Sequence, residues 1–236
     1  MLCKLSEVFC MIEMINVTKE YIKDNHKVIA IQDININFEC GKMYAIMGPS
    51  GSGKTTILQL LGLLDIPSKG CIKIEQQNIS SMKERAIDKF RSNEIGFIFQ
   101  SFYLNENLNA VENVILPLLI NNKIKKQNRK KLAILLLITL GMKNRLFHYP
   151  KELSGGEQQR VAIARAVANN PKIILADEPT ASLDYENSNI ILSFLKKMSR
   201  RNKCVIVTSH NDVIKKYADY VIFLEDGMIK EKEVIK

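Results

Sequence analysis

Three features of the sequence predict an α/β fold. The first is Gly48-Pro49-Ser50-Gly51-Ser52-Gly53-Lys54-Thr55, which fits the phosphate-loop pattern G-x-x-x-x-G-K-[ST] at every constrained position. It lies between a strand-like apolar run, Met43 to Met47, and a helix-like stretch with Ile57, Leu60, Leu61 and Leu64 on one face. The second is a pair of apolar strands, Ile173 to Ala176 and Cys204 to Val207, each ending in polar residues. Ligands gather at such carboxyl ends in open α/β sheets. The third is Leu153 to Arg160, a helix start with the Ser154 and Glu157 spacing of a capping box.

The phosphate loop carries the most specific chemistry. Strand, glycine-rich loop and helix together aim backbone N–H groups and a helix N-terminus at one anion. Gly51 and Gly53 permit backbone angles and close approach that a Cβ would obstruct. Lys54 then reaches the β- and γ-phosphates, and the Thr55 hydroxyl ligates Mg²⁺. The pattern points to nucleotide binding rather than to a tight turn beside a surface lysine.

At 236 residues the chain makes one large domain, or a core with a subdomain. Its hydrophobic fraction of 46% and charged fraction of 25% are those of a soluble globular protein. The net charge of +9 admits nucleic acid, an anionic membrane surface, phosphate ligands or simply a solvated surface. Cys3, Cys10, Cys40, Cys71 and Cys204 are odd in number and lack C-x-x-C spacing. That argues against a disulfide framework or a zinc site and suits a reducing cytosol. No apolar run approaches the ~18 residues that span a bilayer, and the N-terminus lacks the marks of a secretory signal. A membrane-spanning part, if one is needed, belongs to another chain.

In chain order, residues 1–10 read as a loose extension, with Met1, Met11 or Met14 as the start. Ile12 to Val17 and Ile29 to Phe38 alternate as half-buried strands do. Tyr21 lies between them in a polar stretch, as a packing residue or as a ring free to stack on a base. Asp65 to Gly70 is a turn-rich connection, Cys71 to Ile74 a short strand, and Ser80 to Arg91 a surface helix. Ile95 to Phe99 is an apolar strand ending at Gln100, whose amide oxygen either meets Mg²⁺ or is an ordinary strand end. From Leu108 to about Arg145 the pattern is helical, interrupted at Pro117. The basic run Lys123 to Lys131 fits a solvated helix start better than a membrane-lying segment.

Gly155 and Gly156 leave the first-turn N–H groups of the next helix unobstructed, either as a plain cap or as a second anion site sharing a phosphate. Asp177 and Glu178 are adjacent, so a strand would point them to opposite faces and give them different tasks. Asp177 is assigned to Mg²⁺ and Glu178 to the attacking water. Ser182-Leu183-Asp184 precedes a helix from about Glu186, and His210 follows the Cys204 to Val207 strand, either as a structural residue or where a γ-phosphate would be read.

The phosphate loop, Gln100, Leu153 to Arg160, Asp177-Glu178, Ser182 to Asp184 and His210 occur in an order that resembles the ATP-binding cassette (ABC) ATPases, from about Met11 to the end. The Leu-Ser-Gly-Gly-Glu-Gln-Gln-Arg stretch is the specific element. Gly62 to Pro67, Ile95 to Leu104, Glu112 to Val114 and Leu116 to Leu118 resemble the macrolide-export, lipoprotein-release and antimicrobial-peptide-resistance branch. The resemblance implies an α/β phosphate-loop core with an antiparallel β subdomain and a helical subdomain over about 101–160, within a cassette over 11–236. It implies ATP and Mg²⁺ as ligands, with Gly48 to Thr56 around the phosphates and Thr55, Asp177 and Gln100 at the metal. It further implies Tyr21 as the base-stacking aromatic, Gln100 as the sensing loop, Glu178 as catalytic base and His210 as the γ-phosphate switch. Ser154, Gly155 and Gly156 would contact nucleotide held by a partner copy, and Asp184 would bridge the two copies.

The expected function is an ATPase subunit that forms a homodimer around MgATP and drives an integral membrane permease from the cytoplasmic face. Its expected cargo is a peptide, lipoprotein or hydrophobic drug. A second reading is a non-transporting regulator of a membrane partner in signalling or cell division. A third, a soluble cassette acting on DNA or ribosomes, rests on the +9 charge alone and lacks a coiled-coil insertion or a second cassette. No nucleic-acid partner is expected.

Overall fold

The computed structural model describes residues 10–23, 26–120, 124–181 and 183–235. Nearly all of the N-terminal extension, Lys123 of the basic run and Ser182 therefore lie outside the described residues.

Two sheets organise the chain. The larger holds β3 (Met43–Met47), β6 (Ile95–Ile98), β7 (Ile173–Asp177), β8 (Cys204–Ser209), β9 (Tyr220–Glu225) and β10 (Met228–Val234) in the order β10-β9-β3-β8-β7-β6. All neighbours are parallel except β10, which pairs antiparallel with β9. Sheets of this kind are covered on both faces, so their strands read as unbroken apolar runs. Every residue of β3, β7 and β8 is buried. Their side chains alternate between two cores. Met43, Ala45 and Met47 face the one shared with the helical region, while Tyr44 and Ile46 face the one beneath the smaller sheet.

That smaller sheet is antiparallel, ordered β2-β1-β4-β5, from β1 (Cys10–Lys23), β2 (His26–Glu39), β4 (Lys69–Ile74) and β5 (Gln77–Asn78). Ile34, Ile36 and Phe38 are buried while Asn35 and Asn37 are exposed, the pattern of one solvated face. The alternation slips at Gln32 and Asp33, both exposed. Asp33 is left-handed at φ 48°, and its N–H donates to Thr18 Oγ1 at 3.1 Å.

The helices are α1 (Lys54–Leu61), α2 (Glu84–Glu94), α3 (Ala110–Ile120), α4 (Lys126–Thr139), α5 (Gly155–Val167) and α6 (Tyr185–Ser199). Helices α3, α4 and α5 pack together, sharing Val111, Val114, Leu118, Ala133, Leu137, Val161 and Ile163 in one core. The first residues of α4 are exposed lysines and polar residues, and its buried side chains begin at Ala133.

Three sequence expectations need correction. Leu64 is not on the α1 face: the helix ends at Leu61, Leu63 turns left-handed at φ 55°, and Leu64 is exposed. Tyr21 does not lie between strands, because β1 continues through it and it pairs with Val28. Its polar surroundings reflect a solvated strand rather than a loop. Pro117 does not interrupt the helical region but lies inside α3. The missing N–H leaves the Asn113 carbonyl without its helical donor, at a cost of about 3 kcal/mol. Full burial of Val111, Val114 and Leu118 around it offsets that loss.

Asn113 is itself fully buried and holds the chain entering α3. Its Nδ2 donates to the carbonyls of Asn105 (3.1 Å), Leu108 (2.8 Å) and Asn109 (3.1 Å), and its Oδ1 accepts from Asn105 N–H at 2.8 Å. Asn113→Ala should orphan these groups and lower stability by about 1–3 kcal/mol. Urea unfolding measures this, and an unchanged midpoint would remove the tether from the account.

Candidate functional site

The site is built where β3 ends. Gly48 and Gly53 bracket a loop with no room for side chains at either end. A Cβ on Gly48 would lie 2.0 Å from the Leu224 carbonyl oxygen of β9, and one on Gly53 2.6 Å from the Ala30 carbonyl oxygen of β2. Gly53 is also left-handed at φ 100° and caps α1. The loop is thus pressed between the two sheets, with the α1 N-terminus at its end. Lys54 Nζ donates to the carbonyls of Gly48 (2.9 Å) and Pro49 (2.8 Å), so the cation arches back over the loop. Ser52 Oγ is buried with no hydrogen-bond partner.

Behind the loop, the ends of β7 and β8 are locked together. Thr208 Oγ1 donates to Asp177 Oδ1 at 2.6 Å, and Thr55 Oγ1 reaches the same oxygen at 3.3 Å. Asp177 is buried, so two hydroxyls solvate a carboxylate that water barely reaches. Glu178 behaves differently from the expectation. It does not continue the pleat but turns left-handed at φ 46°, with its N–H donating to Thr208 Oγ1 (3.0 Å) and to the Thr208 carbonyl (3.2 Å). The two carboxylates part because of this turn, not because of strand alternation. Glu178 Oε2 lies 3.0 Å from His210 Nδ1.

These groups meet at one cavity of about 650 Å³, lined by Ser50, Gly51, Gly53, Lys54, Thr55, Thr56, Ala30, Gln100, Glu178 and His210. An anion there would face N–H groups at the head of α1, a lysine, and a glutamate with a histidine beside it.

The other expected residues do not line this cavity. Tyr21 lies at its margin, beside the lining residue Thr56, with its hydroxyl donating to Asp65 Oδ2 at 2.9 Å and Lys19 Nζ 5.0 Å from its ring centroid. Burial and the Asp65 carboxylate push the tyrosine pKa up. Partial burial opposes ionisation of Asp65, but Lys19, the Ile66 N–H and Tyr21 outweigh it and hold the carboxyl below its usual range.

Ser154, Gly155 and Gly156 sit at the start of α5 in a complete capping box. Ser154 Oγ accepts from Glu157 N–H (3.3 Å) and Glu157 Oε2 accepts from Ser154 N–H (2.8 Å). Arg145 Nε donates to Glu157 Oε1 at 3.0 Å. Because this helix end is outside the cavity, the two helix N-termini share no phosphate within one chain. Asp184 caps α6, accepting from the N–H (2.7 Å) and Nδ2 (2.8 Å) of Asn187. Those bonds hold its pKa down.

Sequence reading missed several residues. Thr208 anchors both Asp177 and Glu178, and Gln159 Nε2 donates to the Pro179 carbonyl at 3.1 Å. Asn187 accepts from Arg160 and packs beside Gly156. A hydroxyl at the end of a buried strand was the one available signal for Thr208; Gln159 lies within the Leu153 to Arg160 stretch but carried no assigned role, and nothing marks Asn187.

For a divalent cation, Asp177 and Thr55 supply hard oxygens, the chemistry Mg²⁺ prefers. Among the described residues no group of three or more His, Cys, Asp or Glu gathers as a metal cage. That fits a metal held by one or two protein oxygens together with phosphates and water. No helix among the described residues is long and apolar enough to cross a membrane.

Comparison with known proteins places this geometry. The sequence model of the ABC transporter family matches residues 31–181. An uncharacterised ABC transporter ATP-binding protein of Methanocaldococcus jannaschii is 48% identical over 221 residues, covering 94% of this chain and 98% of that protein. The macrolide export ATP-binding/permease protein MacB of Chlorobaculum tepidum is 39% identical over 93% of this chain, which spans 33% of its length. Among solved structures, a post-hydrolysis dimer of the ATP-binding cassette MJ0796 with ADP and Pi superposes with a TM-score of 0.90 at 39% identity. It covers 96% of this chain and 99% of the other. The chain belongs to the ABC transporter family, as one of its ATP-binding and ATP-hydrolysing proteins.

Proposed function

We propose that this protein closes as a homodimer around two MgATP and drives a separate integral membrane permease from the cytoplasmic face. The observation that carries the reading is a half-built site. One chain gathers the phosphate loop, Gln100, Glu178 and His210 at a cavity, yet leaves the capped N-terminus of α5 outside it. A second copy can bring its Ser154, Gly155 and Gly156 to that opening, with Asp184 near the seam. The solved dimer of MJ0796 supports this arrangement. MacB, a macrolide export protein by name, supports an exporter; the proposed cargo is a peptide, lipoprotein or hydrophobic drug.

In the proposed reaction, Gly48 to Thr56 hold the phosphates and Lys54 exchanges its two loop carbonyls for the β- and γ-phosphate oxygens, a stronger charge-assisted pair. Mg²⁺, held by Thr55 and Asp177 with Gln100 near, would neutralise charge developing on the transferred group. Glu178 accepts the proton of the attacking water, and His210, 3.0 Å away, orients that carboxylate and senses the γ-phosphate. Tyr21 offers its ring to the base, and the chemistry is an in-line displacement with no covalent intermediate.

Two substitutions separate the carboxylates. Glu178→Gln should reduce turnover by about 10²–10⁴ while keeping MgATP affinity, whereas Asp177→Asn should weaken Mg²⁺-dependent binding itself. Turnover of Glu178→Gln at the wild-type rate would remove Glu178 as the base. The same variant tests assembly: light scattering should find a dimer with MgATP and a monomer without. A monomer at saturating MgATP would count against the shared site.

A further inference from the structure

Arg165 has no part in the chemistry above, yet it makes two of the shorter hydrogen bonds in the molecule. Its Nη2 donates to the Phe102 carbonyl at 2.7 Å and its Nη1 to the Tyr103 carbonyl at 2.5 Å. A guanidinium fork suits two adjacent acceptors that must be held in one geometry. The side chain is partly buried, and its pKa is pushed down by that burial. Among the described residues no carboxylate pairs with it. A desolvated cation balanced only by carbonyls is an expensive way to add stability.

The segment it grips is bent. Tyr103 is left-handed at φ 45°, a conformation that strains a side-chain-bearing residue. Three residues earlier is Gln100, which lines the nucleotide cavity. Helix α5 touches this segment twice more. A Cβ on Gly96, in β6, would lie 2.4 Å from the Ala166 carbonyl oxygen, so strand and helix are in backbone contact. At the other end, the Phe102 ring lies over Gly155, with Cζ 3.8 Å from where a Cβ would be. The helix that begins with the capping box is therefore fastened, along its length, to the strand and loop that carry Gln100.

We propose that Arg165 is a positioning residue, whose fork holds the 100–103 loop bent so that Gln100 and the N-terminus of α5 keep one fixed relation. This rests on the proposed roles of Gln100 and of the α5 N-terminus. The prediction is about placement rather than charge. Without the fork, Tyr103 relaxes towards ordinary backbone angles, and Gln100 shifts relative to the cavity. Misplacement on the order of 1 Å can cost about 100-fold in rate.

The test uses ATP turnover and nucleotide affinity of the full chain. Arg165→Ala should lower kcat by about 10- to 100-fold with ATP affinity little changed, and Arg165→Lys should fall between because an ammonium keeps the charge but not the fork. Adding Tyr103→Gly to Arg165→Ala should restore much of the rate, since glycine adopts the left-handed turn without support. A residue that merely stabilised the fold would give no such rescue. Hydrogen exchange of residues 100–104 should rise in Arg165→Ala and fall back in the double variant. Gln100→Ala alone tests the underlying reading: normal turnover there would overturn both. If Gln100→Ala is slow, the Arg165 loss should disappear in that background. Losses that multiply, an unaffected Arg165→Ala, or absence of rescue by Tyr103→Gly would each overturn the positioning role alone.

Discussion

Everything at the candidate site depends on how closely two sheets approach the loop at residues 48–53. The carbonyl oxygen of Leu224 stands 2.0 Å from where a Cβ of Gly48 would be, and that of Ala30 2.6 Å from where a Cβ of Gly53 would be. Gly227, between β9 and β10, is under the same constraint: it is left-handed at φ 73°, and its Cβ would meet Ala30 O at 2.8 Å. The Gln32 N–H donates to the Gly227 carbonyl at 2.8 Å, and the Gly227 N–H to the Ser52 carbonyl at 3.2 Å. The antiparallel sheet, the parallel sheet and the phosphate loop are thus joined backbone to backbone. Side chains have rotamers to adjust; main chain at this distance has none. The loop's N–H groups gain fixed directions from that contact, and fixed dipoles are what a phosphate site requires.

Charge does not supply the same effect from a distance. Residues 113–151 contain nine of the 34 lysines and arginines and none of the 25 acidic residues, so the +9 belongs to that stretch and the rest of the chain balances. The cavity has Lys54 against Glu178, with Asp177 behind it. Within one chain, attraction for a nucleotide at the proposed site would come from the α1 N-terminus, the loop amides and one lysine acting at contact range, where screening is weak.

The sequence made the buried strands and the phosphate loop legible because their physics is local. A parallel strand covered on both faces reads as an apolar run, and the loop's spacing is dictated by one anion. Errors arose where tertiary packing decides. Leu64 has helical spacing, but the chain leaves α1 at Gly62, where the Phe97 ring stands 2.9 Å from a would-be Cβ. Pro117 should break a helix and does not, because the buried side chains around it outweigh one lost bond. Glu178 looked like the next residue of a strand, and only the Thr208 hydroxyl and carbonyl fix its turn. Polar contacts between distant segments, such as Thr208 with Asp177 or Arg165 with Phe102, have no periodicity and leave no local trace.

These contacts give a physical ground for the proposal that one chain leaves the site incomplete. A bound triphosphate would place several negative charges beside Glu178 and Asp177, with Lys54 as the single lysine or arginine lining the cavity among the described residues. Like charges at this range raise the energy of the bound state unless something of opposite sign covers the open side. Mg²⁺ would supply part of it. A helix N-terminus, carrying about half a positive charge, is a second source. Helix α5 offers one with its first turn free of side chains at Gly155 and Gly156, and Glu157 turned back into the cap rather than outward. Inside its own subunit that end does not line the cavity, while the body of the helix is fastened to the loops after Gln100 and Glu178 through Arg165 and Gln159. Closure by a partner would therefore neutralise one site and, through the same helix, bear on the other.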